Sequence, residues 1–412
     1  MYQLRVTNSG LTTPRSSRLV GEAYPFGPGS RLVLTADNHN AVNGIREFAR
    51  PLGAAVSYVR FSPADFRFSP ADFRVTDTDI SAALGRGALQ RGESPGRHRR
   101  RGLFAYPAQS NFSGVQHPLA WVDQAQAAGW DVLLDAAAFV PTSGLDLGMV
   151  KPEFVTLSWY KMFGYPTGIG CLLARRDALA RLRRPWFSGG TVWGASVQGG
   201  FHRLADDETA FEDGTVNFLS IPDVTAGLDW ISGIGIDLIH RRVGYLTGWL
   251  LGRLGRLKHG NGAPLVRLYG PADGEARGGT VAFNFLDPNG ALVDERAVAR
   301  DASAAGISLR TGCFCNPGAW EQAFGLTGQV HGTRWRAFPP PNVPTVDDYL
   351  ELIGLPIGGA VRVSLGLASD IRDVERFLDF AERTYRDQVP DGHGLPPRLR
   401  CLPAGARPRF RP

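Results

Sequence analysis

Leu157-Ser158-Trp159-Tyr160-Lys161-Met162-Phe163-Gly164 places one lysine at the end of an apolar run, directly before a turn rich in glycine and proline. A lysine in such a setting is expected to be desolvated, and desolvation favours the neutral amine. A neutral amine attacks carbonyl groups, which is how lysines form Schiff bases. Upstream, Asp131-Val132-Leu133-Leu134-Asp135-Ala136-Ala137-Ala138 reads as a buried parallel strand that delivers a carboxylate at its C-terminal end. In open α/β sheets that edge is where ligands sit.

Taken alone, Asp135 is a helix N-cap after a strand. One helix-and-strand interval before Lys161, it reads instead as the acidic partner that a pyridoxal ring nitrogen needs. Downstream, Leu309-Arg310-Thr311-Gly312-Cys313-Phe314-Cys315-Asn316-Pro317-Gly318 follows a short β-like run. Cysteine beside arginine and glycine-rich backbone favours thiolate. The alternative is a small-residue loop with two incidental thiols. A metal site is not expected, because the neighbourhood lacks further ligands at the right spacing.

Strand-like runs at 32–35, 55–59, 103–106, 132–135, 154–158 and 169–174 alternate with helical ones at 40–50, 118–128, 176–184, 222–234 and 237–257. Such alternation predicts a mainly parallel α/β sheet. After about residue 236 the pattern changes. Strands at 281–285, 307–310 and 361–364, with helices near 292–305 and 370–385, predict a smaller α+β domain. The expected organisation is an atypical segment at 1–17, a large α/β domain at 18–235, a small domain at 236–388 and a disordered tail rich in proline and arginine at 389–412.

The chain resembles class V pyridoxal-phosphate enzymes of the cysteine desulfurase type, and among them the desulfurase domain of molybdenum cofactor sulfurases. The resemblance is carried, in order, by Leu34-Thr35-Ala36-Asp37-Asn38-His39-Asn40, Pro107-Ala108-Gln109-Ser110-Asn111-Phe112-Ser113-Gly114, Leu134-Asp135-Ala136, Ser158-Trp159-Tyr160-Lys161, Phe211-Glu212-Asp213-Gly214-Thr215-Val216-Asn217-Phe218, the 310–318 loop and Val361-Arg362-Val363-Ser364. It implies that pyridoxal 5'-phosphate is bound covalently by Lys161 and faces Asp135. His39 would stack on the ring, with Asn38 as the other candidate for that place. Asn111 would bond the phenolic oxygen, and Ser158 and Tyr160 would line the cofactor site. Thr215 would reach the phosphate of a neighbouring subunit in a homodimer. Arg362 would hold the carboxylate of L-cysteine, and Arg310 would steady the substrate or the loop. Cys315 would accept sulfur as a persulfide, releasing L-alanine, with sulfuration of the molybdenum cofactor as the onward use. Other class V reactions, transamination or selenocysteine cleavage, use the same lysine. An inactive paralogue acting as a subunit is the non-enzyme alternative.

The sequence departs from that pattern at Ala138, where many desulfurases carry glutamine, and at 6–17, which reads as a truncated or frame-shifted start with Pro14 in the place of a phosphate cup. The Phe61–Arg67 heptad recurs at 68–74, read as a duplication accepted in a surface loop.

The 412 residues, 43% apolar, suit one two-domain subunit. The net charge of +6 is concentrated in four arginines at 97–101 and five from Arg398 onward; without them the remainder is net negative. Nucleic-acid binding is therefore not expected. No apolar run is long enough to cross a membrane, and the N-terminus has neither signal nor transit-peptide form. Cys171, Cys313, Cys315 and Cys401 do not make a disulfide framework, which fits a reducing, cytoplasmic location.

Overall fold

The computed structural model describes residues 2–5, 13–61, 72–85, 102–165, 168–326, 345–390, 392 and 394–398. The arginine run at 97–101, the first copy of the heptad repeat beyond Phe61, most of the atypical start and residues 399–412 lie outside them. The chain divides into two compact units. One comprises Met1–Phe61, Val75–Ser110 and Gln116–His240; the other comprises Ser62–Arg74, Asn111–Val115 and Arg241–Pro412.

The first unit is built on a seven-stranded sheet. Its strands are β1 (Tyr2–Arg5), β2 (Arg31–Thr35), β3 (Ala55–Val59), β4 (Leu103–Pro107), β5 (Asp131–Asp135), β6 (Phe154–Ser158) and β7 (Gly170–Arg175), in the order β1-β7-β6-β5-β4-β2-β3. β3, β2, β4, β5 and β6 run parallel, while β7 is antiparallel to β6 and β1 to β7. β4, β5 and β6 are buried at every position, as continuous apolar runs in a doubly covered parallel sheet should be. Strand order reverses direction between β2 and β4, so the parallel strands deliver their C-terminal ends to a topological switch point. A core of Leu19, Val20, Leu32, Leu34, Ile45, Leu133 and Phe154 packs one helical layer on the sheet. The helix Thr13–Ala23 belongs to that layer, and Pro14 lies in its first turn, where a helix leaves N–H groups unused in any case.

The second unit holds a four-stranded antiparallel sheet in the order β10-β11-β13-β12. Its strands are β10 (Val266–Tyr269), β11 (Thr280–Phe285), β12 (Arg310–Gly312) and β13 (Ala360–Ser364). The helices Glu295–Ala304 and Ile371–Tyr385 bury their apolar stripes in its core, with Val298 and Ala302 from one and Val374, Phe377, Leu378 and Ala381 from the other. β12 starts three residues later than the expected run at 307–310, because its pairing with β13 sets Arg310 opposite Arg362 and Gly312 opposite Ala360. A separate hairpin in the first unit, β8 (Val192–Ser196) and β9 (Phe201–Leu204), has no apolar alternation strong enough to announce it. Among the described residues no helix is long and apolar enough to cross a membrane.

Two of the expected features differ. The heptad repeat is not confined to a surface loop: Phe73, in its second copy, is 1% exposed and packs on Phe112 and Tyr269. Within the stretch read as a disordered tail, Arg398 forms ion pairs with Asp294, Glu295 and Asp347.

Candidate active site

The sequence-predicted residues fall into two groups, one in each unit. In the first, every one of them sits on or just beyond the C-terminal edge of a parallel strand, or in the 211–218 segment. Asp135 ends β5 and is buried; its carboxylate accepts from the Ala137 N–H at 3.0 Å and from Thr156 Oγ1 at 3.4 Å. Asp135 lies opposite Thr156 in β6, Ser158 closes that strand fully buried, and Lys161 follows three residues later. Lys161 occupies the short helix Tyr160–Phe163, which ends at Gly164 with φ 80°. That helix is held close to its neighbour. The Trp159 and Phe163 rings stack at 6.3 Å, and a Cβ on Gly227, in the helix Pro222–Ile234, would meet the Phe163 ring at 2.6 Å. Trp159 Nε1 is buried without a partner among the described residues, a cost of about 1–3 kcal/mol beside the lysine.

The expected desolvation of Lys161 is corrected: the residue is exposed. The apolar run that precedes it is buried, but the tight helix and its left-handed cap turn position 161 outward from the sheet.

His39 caps the helix Asn40–Asn43, its Nδ1 accepting from the Ala41 N–H at 3.0 Å. Neutral His39 therefore carries its proton on Nε2. Asn38, the alternative for its place, is fully buried and donates to the Thr35 and Ala105 carbonyls, tying β2 to β4. Its amide is thus engaged inside the sheet. Thr215 is exposed. Its segment is anchored by Arg184, whose side chain is fully buried and donates to Asp213 Oδ1 at 2.8 Å and to the Ala210 carbonyl at 2.8 Å.

In the second unit, Cys313 to Asn316 form a turn closed by the Asn316 N–H and the Cys313 carbonyl at 3.0 Å. Its central residues, Phe314 and Cys315, have φ of 54° and 56°. Positive φ at both central positions is the pattern of a type I′ turn, normally built from Asn-Gly. For Phe and Cys it stores about 1–3 kcal/mol at each residue. Arg362, on β13, lies opposite Arg310 on β12 and over the Phe314 ring at 4.7 Å. Burial, and secondarily Arg310, push the Arg362 guanidinium down to about 10, while Cys315 acts in the opposite sense. Arg362 Nε is buried without a partner among the described residues. Like charges directly opposed on paired strands are unfavourable, and an anion between the two guanidinium groups would relieve that opposition. Asn111 turns both ends of its amide to the thiol-bearing turn: Nδ2 donates to the Phe314 carbonyl at 2.7 Å, and Oδ1 accepts from Asn316 Nδ2 at 3.0 Å. Cys171 is buried in β7 and burial drives its thiol far upward, so it is inert; Cys313 and Cys315 are half-buried.

Sequence reasoning missed three supports. Asp37 is fully buried between Ser110 Oγ at 2.8 Å and His117 Nε2 at 3.0 Å. Arg184 anchors Asp213, and Asn316 both caps the helix Pro317–Ala323 and bonds Asn111. Asp37, Ser110, Asp213 and Asn316 lie inside the matched motifs, which was the available signal. His117 and Arg184 carry none.

The family model described as aminotransferase class-V matches residues 96–377. The chain belongs to the aminotransferase class-V family. This class-V chain is 34% identical over 401 residues to molybdenum cofactor sulfurase of Bos taurus, covering 92% of this chain and 42% of the relative. It is 35% identical over 415 residues to molybdenum cofactor sulfurase of Solanum lycopersicum, covering 97% and 50%. It spans about half the length of these curated relatives. Among solved structures it is similar to the apo cysteine desulfurase of Thermococcus onnurineus NA1, with TM-score 0.69, 21% identity and coverage of 93% of this chain and 78% of that one. A cysteine desulfurase of Escherichia coli gives TM-score 0.67 at 20% identity, covering 92% and 78%. These likenesses establish the class-V α/β fold with its smaller antiparallel α+β part.

Proposed function

We propose that this class-V chain is a pyridoxal-phosphate-dependent sulfurtransferase that takes sulfur from L-cysteine, and that it works as a homodimer. The first unit fits the cofactor. Asp135 is a buried carboxylate that no ion pair reaches among the described residues, and such a group suits a cationic ring nitrogen. Ser158 offers a hydroxyl to the phosphate from the next strand, Lys161 offers an amine one turn beyond, and half-buried His39 and Tyr160 offer ring faces. When bound, pyridoxal phosphate supplies an electron-withdrawing ring that weakens bonds at the substrate's Cα.

The protein's own groups do the rest. Lys161 would hold the cofactor and, as a free amine, would move a proton at the substrate carbon. Asp135 would pair with the ring nitrogen and favour its protonated form. Arg362 and Arg310 take the carboxylate of L-cysteine. The Cys315 thiolate attacks the substrate sulfur; the new S–S bond forms as the C–S bond breaks, and the substrate's Cβ takes up a proton to give L-alanine. The relatives named molybdenum cofactor sulfurase support onward delivery of that sulfur to a molybdenum cofactor. The exposure of Thr215 beside the anchored Asp213 supports a role toward a second subunit.

The single observation that carries the reading is a half-buried thiol, Cys315, held in a strained turn beside two opposed arginines. Protein reconstituted with pyridoxal phosphate should show a visible absorption band that Lys161→Ala abolishes. Incubation with L-cysteine should yield L-alanine and a persulfide on Cys315 by mass spectrometry. Alanine formation undiminished in Cys315→Ser overturns the mechanism.

A further inference from the structure

The turn that carries Cys315 has no residue that prefers its backbone. Neither Phe314 nor Cys315 belongs to the Gly, Asn or Asp group that tolerates left-handed φ. A conformation of that kind persists only when its surroundings over-determine it. The surroundings are specific. The Asn111 amide grips the residue on each side of Cys315, through the Phe314 carbonyl and the Asn316 side chain. The Asn111 backbone carbonyl is in turn held by Arg362 Nη1 at 2.8 Å. The neighbouring Phe112 packs its ring on that of Phe314 at 5.2 Å, and Phe314 is 4% exposed. Asn111 is far from Cys315 in sequence, so the fold brings it there.

We propose, resting on the reading of Cys315 as sulfur acceptor, that Asn111 is a positioning residue for that thiol, its amide gripping the Phe314 carbonyl on one side of Cys315 and the Asn316 side chain on the other and holding the turn in its left-handed form. The amide carries a donor and an acceptor on one planar group and makes both contacts at once. Alanine makes neither. Aspartate keeps the acceptor for Asn316, loses the donor to Phe314 and sets a negative charge against that carbonyl.

The test uses reduced full-length protein stripped of pyridoxal phosphate. It compares amide exchange at Asn316, whose N–H closes the turn, and the pH profile of iodoacetamide alkylation at Cys315 read on its own peptide. Asn111→Ala should speed exchange at Asn316 by about tenfold or more and displace the alkylation profile along the pH axis or change its plateau by about fivefold. Asn111→Asp should speed exchange likewise, which keeps the test open should the alanine variant not fold. A folded variant with wild-type exchange at Asn316 and a superimposable alkylation profile overturns the proposal. Absence of a persulfide on wild-type Cys315 after L-cysteine overturns the functional reading alone, since the exchange comparison needs neither substrate nor cofactor.

Discussion

Asp37 receives Ser110 Oγ and His117 Nε2 on its two oxygens with no exposure to solvent, and the His117 ring stacks on Trp121 at 5.3 Å. It lies two residues before His39, and Ser110 directly precedes Asn111, so one carboxylate fixes the exits of β2 and β4. Asp37→Ala removes the acceptor that both buried donors share. The expected loss is about 2–5 kcal/mol, measured by urea unfolding, with a smaller loss for Asp37→Asn because one acceptor remains. Stability equal to wild type in Asp37→Ala would show that water replaces the carboxylate. Nothing local in Thr35-Ala36-Asp37 announces this role, because His117 reaches Asp37 only after the sheet has formed. The same limit applies to Lys161. Its apolar approach was legible, but its exposure depends on a one-turn helix and a left-handed glycine that the run itself does not encode.

At the scale of elements, legibility follows burial. β4, β5 and β6 are buried on both faces and read as plain apolar runs. β10 is only four residues long, and in β8, where burial alternates, exposed Trp193 beside half-buried Gly194 inverts the apolar pattern, so neither announces itself in the sequence. The turn at Cys313–Asn316 lacks the Asn-Gly signature of its type and could not be read at all. Composition likewise conceals Arg398. It donates to Glu295 Oε1 at 2.7 Å, Asp347 Oδ1 at 2.7 Å and Asp294 at 3.0 Å, while its carbonyl accepts from the Val346 N–H. It thereby joins the helices Glu295–Ala304 and Val346–Ile353. Burial pushes the Asp294 carboxyl upward, but hydrogen bonds from Arg296 and the charges of Arg398 and Arg296 outweigh it, and the net shift is downward. Asp347 is lowered in the same way, with burial opposed by hydrogen bonds and charge from Arg398. Carboxyls whose folded pKa lies below the unfolded value of about 3.9 contribute stability that is present above that pH and disappears as pH falls through the folded value. Melting temperatures of wild type and Arg398→Ala should therefore differ near neutral pH and converge as pH drops from about 4 toward 2. A gap between the two that stays constant across that range would assign Arg398 a packing role instead.

At the scale of the whole molecule, the first unit keeps several large apolar side chains exposed on one hairpin and on the segment after Thr215. On the β8–β9 hairpin and the turn that joins its strands, Trp193 is 76% exposed, Val197 fully exposed and Phe201 63% exposed. Phe218 and Leu219, three and four residues past Thr215, are 64% and 79% exposed. Large exposed apolar patches mark interaction surfaces. Arg203 stacks over Trp193 at 5.5 Å, which orders the indole without covering it. The homodimer proposed above would cover these side chains and would give Thr215 a purpose, its exposed hydroxyl facing the partner's phosphate site. Trp193→Glu combined with Phe201→Lys should yield a folded monomer by sedimentation velocity at micromolar concentration. It should also weaken retention of pyridoxal phosphate by about tenfold or more, the scale expected when one hydrogen bond to a charged group, roughly 1.5–3 kcal/mol, is lost. Thr215→Ala should weaken retention similarly while leaving the dimer intact. Should the double variant remain dimeric, the hairpin is excluded as the interface; should Thr215→Ala retain the cofactor as wild type does, the shared site is excluded with the dimer untouched.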